Sequence, residues 1–459
     1  MTTRLVADAV LPCDGTGAVH RPGAVDIDAD GRITRVGPVR PPAPDIGAPA
    51  PDSAGVAPGP AESTPDGGEW TVQRVGGLLM PGLINAHSHG PMTLLRGQGE
   101  GLPLDRWLHE VIWPREARIG PDDVYWGMTL AVAEMLSFGV TTSVEMYFHD
   151  DLVAEAVDAA GSRCLVAPGI VVAPGWERFG SWADRIEWTL RLRNRYADHP
   201  RIEIGFGPHS AYVLPDEALV AIGDAARAAG APLTVHLAET EHEGDDVSAR
   251  HGGATVAQVL ADLGLFDVDR VLAAHGVWLT QKDVALLADH GVAVAHCPSS
   301  NAKLASGMAA VPALRRAGIR LGLGTDGPAS NNDLDLWEEM RLAALFARML
   351  ERDPTVLPAA EALDLATAGG AAALGRPDLG VLAPGRWADI VRLDLTDPGF
   401  VPVLSDDDLA AHAVWSASRS AVRDVWVGGR QVVRDGECLT IDVAEAGRRV
   451  QAAAARLAE

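Results

Sequence analysis

The sequence predicts an α/β protein: a (β/α)8 barrel over residues 81–378, with a small β-sandwich domain built from both chain ends, 1–80 and 379–459. Three observations predict it. Between residues 81 and about 375, short apolar runs alternate with amphipathic helical patterns, the signature of repeated βα units closing a parallel sheet. Strand-like segments with tight turns occupy both ends of the chain. Histidines and an aspartate recur where the apolar runs stop, the edge at which a barrel carries its chemistry.

The N-terminal stretch reads as short strands. VDID and RITRV flank Ala29-Asp30-Gly31, a hairpin signal. Residues 38–69 are rich in Pro, Ala, Gly and Asp without periodicity, and are expected to be a loop or disordered insertion. EWTVQRVGGLLM (69–80) returns to strand character. The barrel strands are expected at 82–89, 140–146, 162–170, 202–209, 232–239, 271–275, 292–296 and 320–326. One intervening helix starts at Pro215 and stops before Gly230, and another runs from Pro121 to Phe138 before Gly139. No GxGxxG follows the first strand, which argues against a doubly wound dinucleotide fold. Strand patterns return at 385–395 and 420–436, the latter turning at Gly428-Gly429, and 441–459 reads as a terminal helix.

Composition narrows the partners. The 459 residues are 47% apolar and 22% charged, in the range of a globular protein. No apolar run approaches the roughly 20 residues of a membrane span, and MTTRLVADAVLPCDG lacks a secretory pattern, so cytoplasmic residence is expected. The four cysteines are scattered and form neither a disulfide framework nor a CxxC site. The net charge of −24 repels phosphate backbones and anionic membranes, pointing away from polymeric nucleic acid and toward a small molecule.

Six of the 14 histidines fall at expected strand ends: His87 and His89 on the first strand, then His209, His236, His275 and His296, with Asp326 closing the eighth. Two histidines at i and i+2 point to one face of a strand. Alone they do not define a metal site; the set does. Three His and one Asp bind a divalent metal while leaving a position for water, whose pKa falls toward roughly 7. His87, His89, His236 and Asp326 are the expected ligands of one metal per chain, zinc first, with iron or manganese accepting the same donors. Lysine occurs only at 282 and 303, both after the fifth strand, so a carboxylated lysine on strand 4 has no source and a second metal is not expected. Glu239, three residues past His236, is placed to carry a proton. His275 can orient the water, Asp326 can take its proton, and His209 is free to touch substrate.

The motifs PGLINAHSHGPMTLLRG (81–97), GFGPHSAY (205–212), VHLAETEHE (235–243), AAHGV (273–277), AHCPSSNAKL (295–304) and LGTDGPASNN (323–332) occur in this order. The ordered set resembles the amidohydrolase superfamily, a family of metal-dependent hydrolase barrels. Within it, the set is most like the branch holding 5'-methylthioadenosine/S-adenosylhomocysteine deaminases and triazine chlorohydrolases. The resemblance implies that His87, His89, His236 and Asp326 bind metal and that Glu239 and His275 serve proton transfer and water orientation. By spacing, Trp107 and Glu116 match a Trp and a Glu that contact the nucleoside, and His209 matches a substrate-binding histidine. It further implies a homo-oligomer, dimer or tetramer. Deaminases that take S-adenosylhomocysteine use arginines after the third strand. Here the first such position reads Pro168, with Arg185 or Arg178 as the second. The expected activity is hydrolytic deamination of an adenine nucleoside, by attack of metal-bound hydroxide on C6. The alternatives are a chloro- or aminohydrolase of a triazine, guanine or other N-heterocycle, and a non-catalytic binding protein on the same fold.

Overall fold

Residues 83–323 contain eight parallel strands whose residues are almost all buried. The computed structural model describes residues 2–39, 62, 63 and 69–458. The strands are β1 (Leu83–Ser88), β2 (Val140–Tyr147), β3 (Arg163–Ile170), β4 (Ile202–Ile204, resuming at Gly207–Pro208), β5 (Leu233–Leu237), β6 (Val271–His275), β7 (Ala293–His296) and β8 (Leu321–Leu323). Hydrogen-bonded neighbours run β4-β3-β2-β1-β8-β7-β6-β5, and a bridge between Phe206 and Leu233 joins the two ends into a barrel. The strands are buried on both faces, which is why they read as continuous apolar runs.

Two strands differ from expectation for identifiable reasons. The expected 202–209 strand is interrupted at Gly205-Phe206. Opposite the gap lies Pro168, which has no N–H for the ladder. Phe206 turns instead to β5, donating to Pro232 O at 2.8 Å and accepting from Thr234 N at 2.9 Å. The expected 320–326 strand stops at Leu323, because Asp326 adopts φ 60°. Across that stop the buried Asn85 side chain replaces a strand partner, accepting from Thr325 N at 3.1 Å and donating to Thr325 Oγ1 at 2.8 Å.

Helices begin and end on the signals in the sequence. Asp216–Ala229 follows Pro215 and ends at Gly230 with φ 55°, where a left-handed residue closes the last turn. Trp182–Arg195 starts on a Ser181/Asp184 capping box. The terminal helix, Val443–Ala458, packs on Pro121–Ser137. Among the described residues no helix is long and apolar enough to cross a membrane.

Two further sheets flank the barrel. One joins Ile33–Pro38, Gly23–Ile27, Thr2–Ala7, Glu69–Arg74 and Glu62–Ser63, all from the N-terminal end. The other draws on both ends: Ala9–Val10, Leu78–Pro81, Ile390–Leu393, Val422–Val427, Arg430–Arg434 and Glu437–Cys438. Within the expected insertion 38–69, residues 40–61 and 64–68 lie outside the described residues, and Glu62–Ser63 pairs with Glu69–Trp70. The mixed sheet is pinned to the barrel by a buried bidentate ion pair. Arg163 on β3 meets Asp389 through Nε at 2.6 Å and Nη2 at 3.1 Å, and its guanidinium lies 4.3 Å from the Trp387 ring.

Candidate active site

The C-terminal strand ends converge on one point. His87, inside β1, and His89, just past it, have ring centroids 4.8 Å apart, the convergence that their i, i+2 spacing predicts. His236 on β5 brings Nε2 within 3.3 Å of His89 Nε2. Asp326 Oδ1 stands 3.1 Å from His89 Nε2 and 3.5 Å from His87 Nε2. One donor atom from each of these four residues lies within 4.8 Å of all the others.

This donor set fits a divalent metal. Bonds of about 2.0–2.1 Å in a tetrahedral site put donors roughly 3.4 Å apart, and the pairs above measure 3.1, 3.3 and 3.5 Å. Both ring nitrogens of the fully buried His87 lack a hydrogen-bond partner. Burial lowers the His87 imidazole to about 4 and His236 well below its ordinary value, which keeps both neutral, the form that ligates. Burial also opposes charge on His89, yet the adjoining Asp326 carboxylate raises it to about 9. The spot thus favours one positive charge. Asp326 Oδ2 is fixed by Ser300 Oγ at 2.7 Å and Ser330 Oγ at 2.8 Å. Burial works against its ionisation, but the adjoining His87 and His89 imidazoles hold the carboxyl well below the usual range.

The imidazoles of the quartet are oriented from behind. His89 Nδ1 meets Met146 O at 2.5 Å and His236 Nδ1 meets His209 O at 2.9 Å, leaving each Nε2 turned toward the quartet. Ser88 Oγ donates to Glu145 Oε1 at 2.5 Å, and Gly90 N to Glu145 Oε2 at 2.7 Å, fixing the turn that carries His89.

Beside the quartet is a pair suited to proton movement. Glu239 Oε2 is 3.7 Å from His275 Nε2, and both are buried. His275 Nδ1 is held by Asn301 Oδ1 at 2.9 Å, so Nε2 faces the cavity. Burial raises the Glu239 carboxyl above its ordinary value, opposed by His275. The Glu239 backbone N–H is anchored by Glu243 Oε2 at 2.8 Å.

A cavity opens above these groups. His89, His209, His236, Glu239, His275 and Asp326 form its floor, and Trp107, Trp113, Tyr147 and Trp176 are among its walls. The segment after β1 supplies much of the roof. Trp107–Ile112 winds as a wide π-type turn, a form that recurs at functional sites. It leads into Trp113–Glu116, placing Glu116 in the cavity wall, where burial raises its carboxyl to about 7 against the opposing influence of Tyr147, His89 and Arg178. Trp107 is buried and donates through Nε1 to Gln98 O at 3.2 Å.

The structure therefore brings together nine of the eleven positions singled out at strand ends and in the motifs: His87, His89, Trp107, Glu116, His209, His236, Glu239, His275 and Asp326 lie in the quartet or the cavity wall, and Arg185 and His296 do not. Arg185 is turned away, with its guanidinium on Asp150 Oδ2 at 2.7 Å and Gly169 O at 3.2 Å. His296 is a buried neighbour of His275, lowered to about 3 by burial, and does not line the cavity. Sequence reasoning did not single out Ser300, Ser330, Asn301 or Glu145. The first three lie inside the CPSSN and DGPASNN motifs, so the motifs marked the loops but not which side chains turn inward. Tyr147 and Trp113 carried no signal beyond being aromatic next to a strand end and a motif.

Comparison with known proteins places this geometry. The amidohydrolase family model matches residues 78–432. A 5-methylthioadenosine/S-adenosylhomocysteine deaminase from Pelotomaculum thermopropionicum is 40% identical over 446 residues, 96% of each chain. A 5'-deoxyadenosine deaminase from Methanothermobacter thermautotrophicus is 40% identical, covering 86% of this chain and 91% of its own. Among solved structures, an adenosine deaminase from Xanthomonas campestris with bound zinc superposes with a TM-score of 0.89 at 35% identity, over 99% of this chain and 98% of that one. An atrazine chlorohydrolase from Arthrobacter aurescens, at 24% identity, 98% and 100% coverage and a TM-score of 0.83, shares the fold. With a family match over most of its length and relatives at 40% identity, the chain belongs to the amidohydrolase family.

Proposed function

We propose that the protein is a hydrolytic deaminase of adenine nucleosides, releasing ammonia and the inosine form. The observation that carries this reading is Glu239 beside His275, 3.7 Å apart, at the edge of the His87/His89/His236/Asp326 quartet on the floor of an aromatic-walled cavity. The names of the relatives from Pelotomaculum, Methanothermobacter and Xanthomonas support it.

A divalent ion held by the quartet, which we take to be Zn2+, supplies activation of water by lowering its pKa. The protein's own groups do the rest. Glu239, whose carboxyl burial raises above its ordinary value, gives a proton to the purine N1. Asp326, held ionised, accepts the proton of the attacking water. His275, its ring fixed by Asn301, steadies the oxygen arriving at C6. Asp326 then passes that proton to N6, the C6–N6 bond breaks with release of ammonia, and the proton of the C6 hydroxyl returns to Glu239, leaving the 6-oxo ring. Glu116 accepts hydrogen bonds from ribose hydroxyls, while Trp107 and His209 form the wall against the nucleoside. The apolar walls exclude bulk water from the ring.

The test is ammonia release from adenosine, 5'-methylthioadenosine, 5'-deoxyadenosine, guanine and a chlorotriazine, with metal content determined on the same sample. Turnover confined to the adenine nucleosides, with about one metal per chain, is expected. Turnover of guanine or the triazine alone overturns the reading.

A further inference from the structure

The reaction cavity leads at its mouth into an outer chamber. The two share Leu104, Leu108, Trp113 and Tyr212, and the outer one adds Asp105, Glu243 and Asp246. A second recess, joined through Val171, adds Glu177. Among the described residues no arginine or lysine lines any of the three. The arginines that follow β3 are committed elsewhere. Arg178 donates to Glu116 O at 2.8 Å and lies over the Phe148 and Phe179 rings, and Arg185 is bound to Asp150.

A second feature marks the outer chamber as a place for a ligand group. Glu243 is only 5% exposed, and while its Oε2 holds Glu239 N, its Oε1 has no hydrogen-bond partner. The Tyr212 hydroxyl, on the wall common to both chambers, has none either. Buried polar atoms of this kind are nearly always satisfied, so two of them facing one space call for a hydrogen-bonding occupant.

We propose that the outer chamber takes the 5' substituent of the nucleoside and selects a neutral or cationic hydrogen-bonding group there against an anionic one. The proposal rests on the adenine-nucleoside reading of the inner cavity. With the purine over Glu239 and the ribose at Glu116, the 5' group is the part of the substrate left to pass the mouth. A hydrogen-bonding group satisfies Glu243 Oε1 and Tyr212. A carboxylate or phosphate meets Asp105, Asp246 and Glu177 with no arginine or lysine beside them, the repulsive half of specificity. Burial raises Glu243 to about 8, so near neutral pH it acts as a hydrogen-bonding group and the negative field comes from Asp105, Asp246 and Glu177. The imidazoles of His109 and His242 also line the outer chamber.

The experiment compares kcat/KM of the zinc-loaded full chain for 5'-amino-5'-deoxyadenosine, 5'-deoxyadenosine and adenosine 5'-carboxylate, at about pH 7.5, where an aliphatic amine is protonated. The expected order is amine, then deoxy, then carboxylate, with the first and last on the order of 10²-fold apart or more. Raising the salt to about 0.5 M shortens the screening length to a few ångströms and narrows the gap, as does the Asp105→Asn/Asp246→Asn double variant. If 5'-deoxyadenosine releases no ammonia, the deaminase reading falls and the subsite with it. If it is turned over but the carboxylate is used equally well, or the gap ignores both salt and the double variant, the subsite alone is overturned.

Discussion

Replacing Glu239 by Gln separates proton transfer from metal binding. The side chain keeps its size, and the backbone N–H that Glu243 holds at 2.8 Å is untouched, so the turn after β5 has no reason to move. What is lost is the proton that Glu239 carries beside His275 at 3.7 Å. A positioned general acid contributes about 10²–10⁴ in rate, or roughly 2.7–5.4 kcal/mol of barrier at 1.36 kcal/mol per tenfold. Because Glu239 is not one of the four converging donors, metal content stays as in the parent protein. The assay is kcat for 5'-deoxyadenosine with metal analysis and thermal unfolding on the same preparation. A folded, metal-replete Glu239→Gln protein with kcat within about threefold of the parent would refute the role, since a loss that small lies below the general-acid range. Loss of metal in proportion to activity would make Glu239 a ligand and refute the division of labour.

Three other outcomes follow from the same geometry. Asp389→Ala leaves the guanidinium of Arg163, 1% exposed, buried without its partner; breaking such a pair costs about 3–5 kcal/mol, and denaturant titration showing under about 1 kcal/mol would count against the pin between barrel and mixed sheet. His236→Ala removes a donor that stands 3.3 Å from His89, so metal analysis after dialysis against a chelator should show metal retained by the parent and lost by the variant. Glu116 is raised to about 7 by burial, and only its ionised form is purely an acceptor, so KM for ribose-bearing substrates should fall as pH rises through about 7; Glu116→Gln should flatten that profile, and an unchanged profile would remove Glu116 from the ribose site.

How much of this was legible in the sequence depended on whether a feature is local. The barrel strands were, because buried parallel strands are apolar on both faces and are bracketed by Gly and Pro. Their ends were less so. The gap in β4 is set by Pro168 on its neighbour, and the end of β8 by the conformation of Asp326. The convergence of His87, His89, His236 and Asp326 was readable because His and Asp at strand ends are rare in a packing role. Ser300, Asn301 and Ser330 were not, since Ser and Asn are the ordinary residues of turns and only the closed barrel turns these three inward. Arg185 matched by residue type and approximate position, but Asp150, 35 residues earlier in the chain, claims its guanidinium.

The site also depends on a backbone feature that no residue pattern announces. In an extended strand, residues three apart face opposite sides, so His236 and Glu239 could not both look into the cavity. They do because Ala238 between them takes φ 49°. The same left-handed turn occurs at His275, with φ 74°, and at Asp326, with φ 60°. None of the three is glycine, and such positions cost of order 1–3 kcal/mol each, persisting only where the surroundings over-determine them. The surroundings here do so. Ala238 O accepts from Val277 N and Trp278 N at 3.0 and 2.9 Å, Asn301 holds the His275 ring, and Asp326 is tied through its backbone N–H to His87 O at 3.0 Å and through its carboxylate to Ser300 and Ser330. Glycine would relieve the backbone at Ala238, but the strained turn is what aims Glu239. The polar groups behind the quartet thus hold the turns that break the alternation of the strands, and those turns let a parallel barrel point the His/Asp quartet, Glu239 and His275 into one cavity.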